Sequence, residues 1–305
     1  MLEQKKHPVI CFGECLWDIL PSGKMVGGAP MNVAYHLQKL EKNPAVISRI
    51  GYDELGNELI KSFEEKNVCT EYFQVDYDVP TSTVKAEVRP GNEVHFEIVK
   101  NVAWDYIALE ENLEDLVKQA DYFVYGSLAT RSKQTRDTLF ALLEVANNKV
   151  LDINLRPPFY NRDIIEKLLI NANFAKLNLA ELELITGWFS PLTKEEDRIK
   201  TIRDRFNLDT IVITKGAKGA ILNKGGEFVY CQGLKINVCD TIGSGDSFLA
   251  AIISKTMDKV PINEALDFAN NLAAFVTTQK GGCPEYDLNE ITKLNISKNE
   301  FTITQ

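Results

Sequence analysis

The sequence predicts an α/β fold in which helices flank a central, mostly parallel β-sheet, and three observations support this. Short apolar runs alternate with amphipathic stretches along most of the chain, which is typical of consecutive βαβ units. The chain has 305 residues, of which 45% are hydrophobic, so one large domain can bury its own core. No repeat or low-complexity linker interrupts it. We therefore expect residues 1–305 to form a single domain.

Two patterns predict the individual elements. Continuous apolar runs indicate strands buried on both faces, and longer stretches with apolar residues three or four positions apart indicate amphipathic helices. In order, the predicted strands are Val9–Phe12, Ala45–Ile50, Tyr122–Tyr125, Val150–Ile153, Phe174–Leu177 and Thr210–Thr214, with a hairpin over Ala220–Tyr230. The predicted helices are Asn32–Leu40, Leu55–Lys66, Lys133–Asn147, Arg162–Asn171, Lys194–Phe206, Ser247–Met257 and Ile262–Gln279.

Residues 81–100 do not follow this alternation of strand and helix patterns. Polar and apolar side chains alternate on both sides of the turn sequence Arg89-Pro90-Gly91-Asn92, which predicts a β-hairpin with one polar and one apolar face. The apolar face of such a hairpin must be covered. The hairpin could belong to a small second sheet or pack directly on the main core, and the sequence leaves both arrangements open.

Composition excludes several classes of partner. The formal net charge of -9 argues against binding to nucleic acid or to anionic membranes. No run approaches the roughly 20 apolar residues of a membrane span, and the polar segment 1–8 does not resemble a secretory signal. We therefore expect a cytoplasmic protein.

Cysteine and histidine usage predicts no zinc centre. The six cysteines contain no Cys-x-x-Cys pair and the three histidines are scattered, so no zinc ligand set is evident. We expect reduced, mostly buried thiols. His36 lies inside an apolar helix and is expected to be packed rather than to act as a base. The chemistry must therefore rest on carboxylates. No P-loop sequence occurs, so a P-loop kinase is disfavoured.

A glycine-bracketed segment, Gly243-Ser244-Gly245-Asp246, directly precedes an apolar helix near the C-terminal end. The glycines allow successive backbone N–H groups to converge on an anion, and the positive end of the helix dipole points the same way. Asp246 would lie beside the anion, where it could accept a proton from a hydroxyl. The alternative is an ordinary helix N-cap.

A second glycine segment lies near the other end of the chain. Gly27-Gly28-Ala29-Pro30 leads into an apolar helical run that carries Asn32 in its first turn. A Gly-Gly entry lets a small polar ligand approach the backbone, although a tight turn before a helix explains the same residues.

Together these two segments resemble the two signatures of the ribokinase-like (PfkB) family of carbohydrate kinases. The resemblance extends from Val9 to about Pro284, and the segment Gly27–Asn32, preceded by Gly13-Glu14-x-Leu16-x-Asp18, is most similar to the fructokinase branch. It implies a ribokinase-like sheet with a small β-sheet lid, formed by about residues 16–25 and 80–101, that closes over the sugar and often helps to form a homodimer. It also implies ATP and Mg²⁺.

The resemblance implies the catalytic roles. Asp246 matches the catalytic base, and the N–H groups of Gly243, Ser244 and Gly245 match the anion hole. The family commonly has Ala at the position of Ser244, a difference that leaves the backbone donors unchanged.

The resemblance also implies cation sites. Asn178 and Glu181 are similar to an Asn-x-x-Glu motif that organises magnesium and phosphate, with Glu181 reaching Mg²⁺ through water. The same spacing is, without that context, a helix cap with its capping-box partner. Asp240 and the loop Gly281–Cys283 lie where relatives bind a monovalent cation such as K⁺.

The expected nucleotide contacts come from two further segments. A strand followed by two spaced glycines is similar to the ATP loop of the family, and Asn270 falls where relatives line the adenine pocket. A β-turn in a hairpin, and a solvated or capping Asn, explain these residues almost as well. The implied nucleotide-binding residues are Thr214, Lys215, Gly216, Gly219 and Asn270.

The sugar contacts implied by the resemblance are Asp18, Gly28 and Asn32, with Glu14 as a further candidate. Short carboxylates and amides suit vicinal hydroxyls, because each can make two hydrogen bonds.

Arg156 follows the predicted strand Val150–Ile153 in a segment similar to the family's Asp-x-Asn-x-Arg motif. It could reach a phosphate or sugar oxygen. An ion pair between Asp152 and Arg156 that only fixes the turn is the alternative.

The sequence thus predicts an ATP-dependent kinase that phosphorylates a primary hydroxyl of a free ketohexose. The first expected substrate is D-fructose, which would be converted to fructose 6-phosphate. The small-molecule partners are then the sugar and ATP. Another substrate, such as 2-keto-3-deoxygluconate or a nucleoside, would require a carboxylate-binding Arg or a stacking aromatic, for which Arg89, Phe96 and Trp104 are candidates. A catalytically silent binding protein on the same fold is the rival of another class. A dehydrogenase is disfavoured because no Gly-x-Gly-x-x-Gly follows the first strand.

Overall fold

The computed structural model of the protein describes residues 6–20, 23–89 and 93–291, and for residues 20, 85–89 and 93–97 it describes the backbone. The strands are β1 Val9–Phe12, β2 Leu16–Leu20, β3 Gly23–Gly27, β4 Ala45–Gly51, β5 Phe73–Asp76, β6 Ser82–Arg89, β7 Glu93–Ile98, β8 Tyr122–Gly126, β9 Asn148–Asp152, β10 Phe174–Asn178, β11 Thr210–Thr214, β12 Ala220–Lys224 and β13 Glu227–Cys231. The helices are α1 Ala29–Lys39, α2 Glu54–Glu65, α3 Leu113–Gln119, α4 Lys133–Val145, α5 Arg162–Ile170, α6 Leu179–Gly187, α7 Glu195–Phe206, α8 Ser244–Met257 and α9 Ile262–Thr277.

Nine of the described strands form one twisted sheet in the order β13-β12-β11-β10-β9-β8-β1-β4-β5. All pairs from β5 to β11 are parallel, and β12 and β13 add an antiparallel hairpin at one edge. The predicted central, mostly parallel sheet is therefore confirmed.

Both faces of this sheet are buried. In β1, Ile10 and Phe12 join one hydrophobic cluster while Val9 and Cys11 join another on the opposite face. Residues of α3 to α7 pack in the first cluster and residues of α1, α2, α8 and α9 in the second. This two-sided burial is the reason why the strands appear in the sequence as continuous apolar runs.

A second, four-stranded sheet has the order β3-β2-β6-β7. β2 pairs parallel with β6 and antiparallel with β3, so the hairpin of β6 and β7 extends the strands that follow β1. The alternative of a hairpin packed alone on the main core is wrong. The predicted turn at residues 90–92 lies outside the described residues.

Some element boundaries differ from the prediction. α8 begins at Ser244 rather than Ser247. Gly243 takes a left-handed conformation as the N-cap, so the polar residues that follow it already belong to the helix. The sequence analysis did not predict β5 or α3; both are short, at four and seven residues. Among the described residues, the structure has no helix whose length and apolar character would suit a bilayer crossing.

Candidate active site

The predicted site residues converge on the carboxyl-terminal edge of the parallel strands. Glu14 follows β1, Arg156 follows β9, and Asn178 and Thr214 end β10 and β11. There they line a cavity of about 550 Å³ whose wall includes many of the predicted residues. Those residues are Glu14, Asp18, Gly28, Asn32, Arg156, Asn178, Thr214, Gly243, Gly245 and Asp246. A larger cavity of about 700 Å³, lined by residues such as Lys100 and Arg131, includes none of the predicted site residues.

The two glycine segments meet at this cavity through a side-chain hydrogen bond. Asn32 Nδ2 in the first turn of α1 donates to Asp246 Oδ2 in the first turn of α8 over 2.8 Å. Both residues are buried, with 4% and 8% of their surface exposed. One carboxylate oxygen of Asp246 is thus held by the protein, and the other remains for a ligand.

No side chain among the described residues caps the amino terminus of α8. Its N-cap, Gly243, has φ 73°, and a Cβ at this position would lie 2.4 Å from the Cα of Gly282. A residue with a side chain would therefore be both strained and in collision. The first N–H groups of a helix have no partner within the helix. Those of Gly245 and Asp246 are accordingly available to an anion, as the dipole of α8 favours.

Burial raises the pKa of Asp246 to about 6, and the nearby carboxylate of Asp152 adds to the rise. Lys176, the hydrogen bond from Asn32, and Arg156 oppose it. The carboxyl group is therefore largely ionised at neutral pH and can still take up a proton, as a general base must.

Lys176 also lines this cavity, and the sequence analysis did not identify it. Its ammonium Nζ lies 2.9 and 2.7 Å from the two carboxylate oxygens of Asp152 on the neighbouring strand, and both side chains are buried. Burial alone would lower the pKa of the Lys176 ammonium. The negative charges of Asp152 and Asp246 have the larger effect and raise this pKa. The same Nζ would lie 3.1 Å from a Cβ at Gly245. A permanent positive charge thus stands beside the amino terminus of α8.

Asp152 therefore pairs with Lys176, and the alternative of an Asp152–Arg156 ion pair is wrong. Arg156 is exposed at the cavity, and no ion pair of its guanidinium occurs among the described residues. The one sequence feature that could have identified Lys176 is its position as a lysine within an otherwise apolar strand.

Two further carboxyl groups face the cavity. Glu14 Oε1 accepts a hydrogen bond from Ala29 N over 3.2 Å, whereas its buried Oε2 has no partner among the described residues. Burial raises the pKa of Glu14 to about 7. Burial also raises the pKa of Asp18 to about 6, with Asp240 adding to the rise. Both are suited to polar ligand groups.

The Asn178–Glu181 pair forms the capping box that was considered as the alternative. Asn178 Oδ1 accepts from Glu181 N over 2.9 Å, and Glu181 Oε2 accepts from Asn178 N over 2.8 Å. Glu181 Oε1 also accepts from Leu155 N over 2.8 Å, and burial raises its pKa. The box does not exclude a role in metal binding, because each carboxylate oxygen has a second lone pair.

Other predicted residues lie outside the cavity wall. Lys215 pairs with Glu195 over 2.8 Å, and the 3₁₀ turn Gly216–Lys218 joins β11 to β12 ahead of Gly219. Asn270 is buried and donates to Gln232 O over 3.0 Å, so the solvated alternative is wrong for this residue.

Ser244 and Asp240 also lie outside that wall. Ser244 Oγ donates to Ala273 O over 3.4 Å. Asp240 accepts from Ile242 N and Gly281 N, so the structure brings together the carboxylate and the loop that were expected to share a cation.

Trp104 is completely buried beneath the Arg131 guanidinium, 3.8 Å from its ring centre, and does not line the cavity. The side chains of Arg89 and Phe96 lie outside the described residues.

The comparisons with known proteins agree with this geometry. The family described as pfkB family carbohydrate kinase matches residues 22–287. This chain belongs to that family. The chain is 28% identical to probable fructokinase-6, chloroplastic, of Arabidopsis thaliana, over 92% of this chain and 80% of the relative.

Solved structures of other proteins share the fold. A fructokinase double mutant from Vibrio cholerae O395, bound to fructose, ADP and potassium, superposes with a TM-score of 0.82 at 22% identity over 96% of this chain and 99% of that one. An Escherichia coli protein provisionally assigned as ribokinase II, in complex with ATP and Mg²⁺, gives 0.83 at 19% identity over 95% and 99%. The ribokinase-like fold expected from the sequence is therefore confirmed.

In this pfkB-family kinase, a second layer of contacts holds the side-chain amide of Asn32. Cys283 Sγ donates to Asn32 Oδ1 over 3.2 Å, and burial keeps the thiol protonated by raising its pKa. The buried His36 contacts Gly282 O over 2.9 Å and Tyr286 Oη over 3.0 Å. Burial lowers the pKa of His36 to about 4, so it is a neutral packing residue, as expected.

Proposed function

We propose that this pfkB-family carbohydrate kinase transfers the γ-phosphoryl group of ATP to a primary hydroxyl of a free ketohexose. D-Fructose is the first candidate substrate. The observation that carries the proposal is the Asn32–Asp246 hydrogen bond at the uncapped amino terminus of α8. It joins a carboxylate suited to proton transfer with donors suited to phosphate, inside one cavity.

Each step can be assigned to residues of the chain. Asp246 accepts the proton of the sugar hydroxyl while Asn32 keeps the carboxylate oriented. The hydroxyl oxygen forms a bond to the γ-phosphorus, and the bond to the β-phosphate oxygen breaks, which releases ADP. The N–H groups at the start of α8 and the Lys176 ammonium stabilise the negative charge of the transferred group.

The residues present suit a magnesium ion. The Glu181 carboxylate is fixed by two backbone N–H groups and adjoins Asn178, so it offers oxygen ligands of the kind Mg²⁺ prefers. Contact through water would leave these hydrogen bonds intact. Magnesium, when bound, neutralises charge on the phosphates of ATP. We assign K⁺ to Asp240 and the adjoining Gly281 loop.

The sugar would bind among Asp18, Glu14, Asn32 and Gly28. Asp18, Glu14 and Asn32 line the cavity and carry carboxyl or amide oxygen atoms, which suits a polyhydroxylated ligand. The second sheet, β3-β2-β6-β7, would act as the lid, because Asp18 on β2 and Val84 on β6 line the same cavity. Pairing of two copies through this sheet stays a prediction.

One observation favours a second candidate substrate class. Arg156 lines the cavity and has no ion pair among the described residues, so it could bind the carboxylate of a sugar acid such as 2-keto-3-deoxygluconate. Its position near the amino terminus of α8 suits a phosphate of ATP equally well.

Release of ADP with ATP and Mg²⁺ tests the proposal over a panel of fructose, other free sugars, sugar acids and nucleosides. We expect fructose to give the highest kcat/KM. A sugar acid as the best substrate, lost in Arg156→Met, would replace fructose but retain the mechanism. Absence of turnover on the whole panel, with ATP binding observed by calorimetry, would favour a silent binding protein.

A further inference from the structure

Three potential metal ligands, His7 and the near neighbours Cys69 and Glu71, meet at the opposite, amino-terminal edge of the main sheet. His7 precedes β1, and Cys69 and Glu71 precede β5. One ligand atom from each lies within 4.8 Å of the others. Strands β1, β4 and β5 are neighbours in the parallel sheet, so their amino-terminal ends lie side by side. The sequence spacing alone gave no indication of this cluster.

The histidine is held in the tautomer that a metal requires. His7 Nδ1 lies 3.2 Å from the carbonyl oxygen of Asn43, which can only accept, so Nδ1 carries the proton. The lone pair of Nε2 is then directed to Cys69 Sγ at 3.9 Å. Such a bond from the second ring nitrogen to a carbonyl is the usual support of a metal-binding imidazole. His7 is 7% exposed, so this orientation is enforced by packing.

The segment around His7 is anchored from both sides. Asn43 Nδ2 donates to the carbonyl of Lys6, in addition to the contact of its own carbonyl with His7. The Tyr72 ring packs edge-on against the imidazole with 5.9 Å between the centres. The nitrogen ligand would therefore require little rearrangement.

We infer that His7, Cys69 and Glu71 form a binding site for a thiophilic divalent cation such as Zn²⁺. A nitrogen, a sulfur and an oxygen ligand suit zinc rather than Mg²⁺ or Ca²⁺, which prefer oxygen alone. Tetrahedral zinc with Zn–S of about 2.3 Å and Zn–N of about 2.0 Å would separate the two ligand atoms by roughly 3.5 Å. The observed 3.9 Å between Cys69 Sγ and His7 Nε2 needs a shift of only a few tenths of an ångström.

The charge balance also suits a dication. Binding releases the thiol proton of Cys69 to solvent, and the thiolate forms the metal–sulfur bond, with water in the fourth position. Glu71 supplies a second negative charge. Lys6 now pairs with Glu71 Oε2 over 2.7 Å, but both side chains are more than half exposed and can separate. The alternative is a simple hydrogen bond from the Cys69 thiol to His7.

Titration of the untagged, metal-free full chain with Co²⁺ tests the site, with Cys69→Ser, His7→Gln and Cys239→Ser alongside. Cys239 is an exposed thiol elsewhere and serves as the matched control. We expect one equivalent of Co²⁺ to give a thiolate-to-cobalt charge-transfer band that Zn²⁺ abolishes. Cys239→Ser should retain the band, and the other two variants should bind at least tenfold more weakly.

A second measurement needs no variant. Zn²⁺ should protect Cys69, but not Cys239, from alkylation in the wild-type chain, as located by peptide mass spectrometry. Lack of a charge-transfer band in the wild type, a band that persists in Cys69→Ser, or alkylation of Cys69 at an unchanged rate with Zn²⁺ would each overturn the inference. Because the cluster lies at the sheet edge opposite the candidate active site, this outcome is independent of the proposed kinase activity.

Discussion

Asn32 and Asp246 are separated by 214 positions in the sequence, yet the amide of one donates to the carboxylate of the other over 2.8 Å. The bond joins the first turns of α1 and α8, which pack on the same face of the sheet. Since the amide stabilises the ionised carboxylate, Asn32 helps to keep the pKa of Asp246 near 6 despite its burial. The orientation of this amide is therefore a point where remote contacts can influence catalysis.

Cys283 should tune this carboxylate through Asn32. Its thiol donates to Asn32 Oδ1 and so directs Nδ2 to Asp246. In Cys283→Ala we expect a weaker Asn32–Asp246 bond, which raises the pKa of Asp246 by up to about one unit, since a hydrogen bond contributes roughly 1 kcal/mol. The acid limb of the pH profile of kcat/KM should then move to higher pH. Cys283→Ser keeps a donor and should restore the limb. An unshifted profile in Cys283→Ala would contradict this role.

Lys176 should have separable effects on stability and turnover. Lys176→Met leaves the buried Asp152 carboxylate unpaired, and we expect the free energy of unfolding to fall by about 3–5 kcal/mol. Adding Asp152→Asn removes that carboxylate charge and should recover most of the loss in denaturant unfolding. Turnover should stay about 10²-fold below wild type in the double variant, because the positive charge beside α8 is still missing. Recovery of turnover together with stability would show that the pair is only structural.

Glu14 should make stability depend on pH. Its folded pKa is about 7, raised from an ordinary 4.5, so the neutral carboxyl contributes stability below pH 4.5 that is lost as the pH rises through 7. Gln stays neutral. Glu14→Gln should therefore match wild type near pH 4.5 and exceed its free energy of unfolding by about 3 kcal/mol near pH 8. Denaturant unfolding at the two pH values measures this, and an equal offset at both would contradict it.

Gly243 should tolerate no side chain. Gly243→Ala combines a left-handed φ of 73° with a Cβ 2.4 Å from Gly282 Cα. Gly225 has a similar φ of 55° with nothing within 4 Å of an added Cβ, so Gly225→Ala isolates the backbone cost. We expect about 1 kcal/mol of destabilisation and normal turnover in the control, and a larger loss of both stability and kcat in Gly243→Ala. Equal effects in the two variants would contradict close packing at the start of α8.

Local patterns explain what could be predicted from the sequence. Strand β1 could be identified because all four of its residues are buried and apolar, and the segment Gly243–Asp246 because its glycine spacing is a local feature. Strand β5 could not, because Phe73-Gln74-Val75-Asp76 is half polar and short.

Long-range pairing explains what could not be predicted. Lys176 pairs with Asp152 on the adjoining strand, a contact set by sheet register. Cys283 and Asn32 are 251 positions apart, and Cys69 and His7 are 62 apart. No periodicity or motif marks such pairs, because only the folded topology brings them together.

Asp246→Asn is the most direct test of the central claim that Asp246 is the base of a sugar kinase. The measurement is ADP release with Mg²⁺ and the best sugar of the panel, with the exposed Asp115→Asn as control. We expect kcat to fall by about 10²–10⁴-fold in Asp246→Asn, with ATP affinity by calorimetry and the melting temperature little changed, and normal turnover in the control. A kcat within a few fold of wild type in Asp246→Asn would contradict the account.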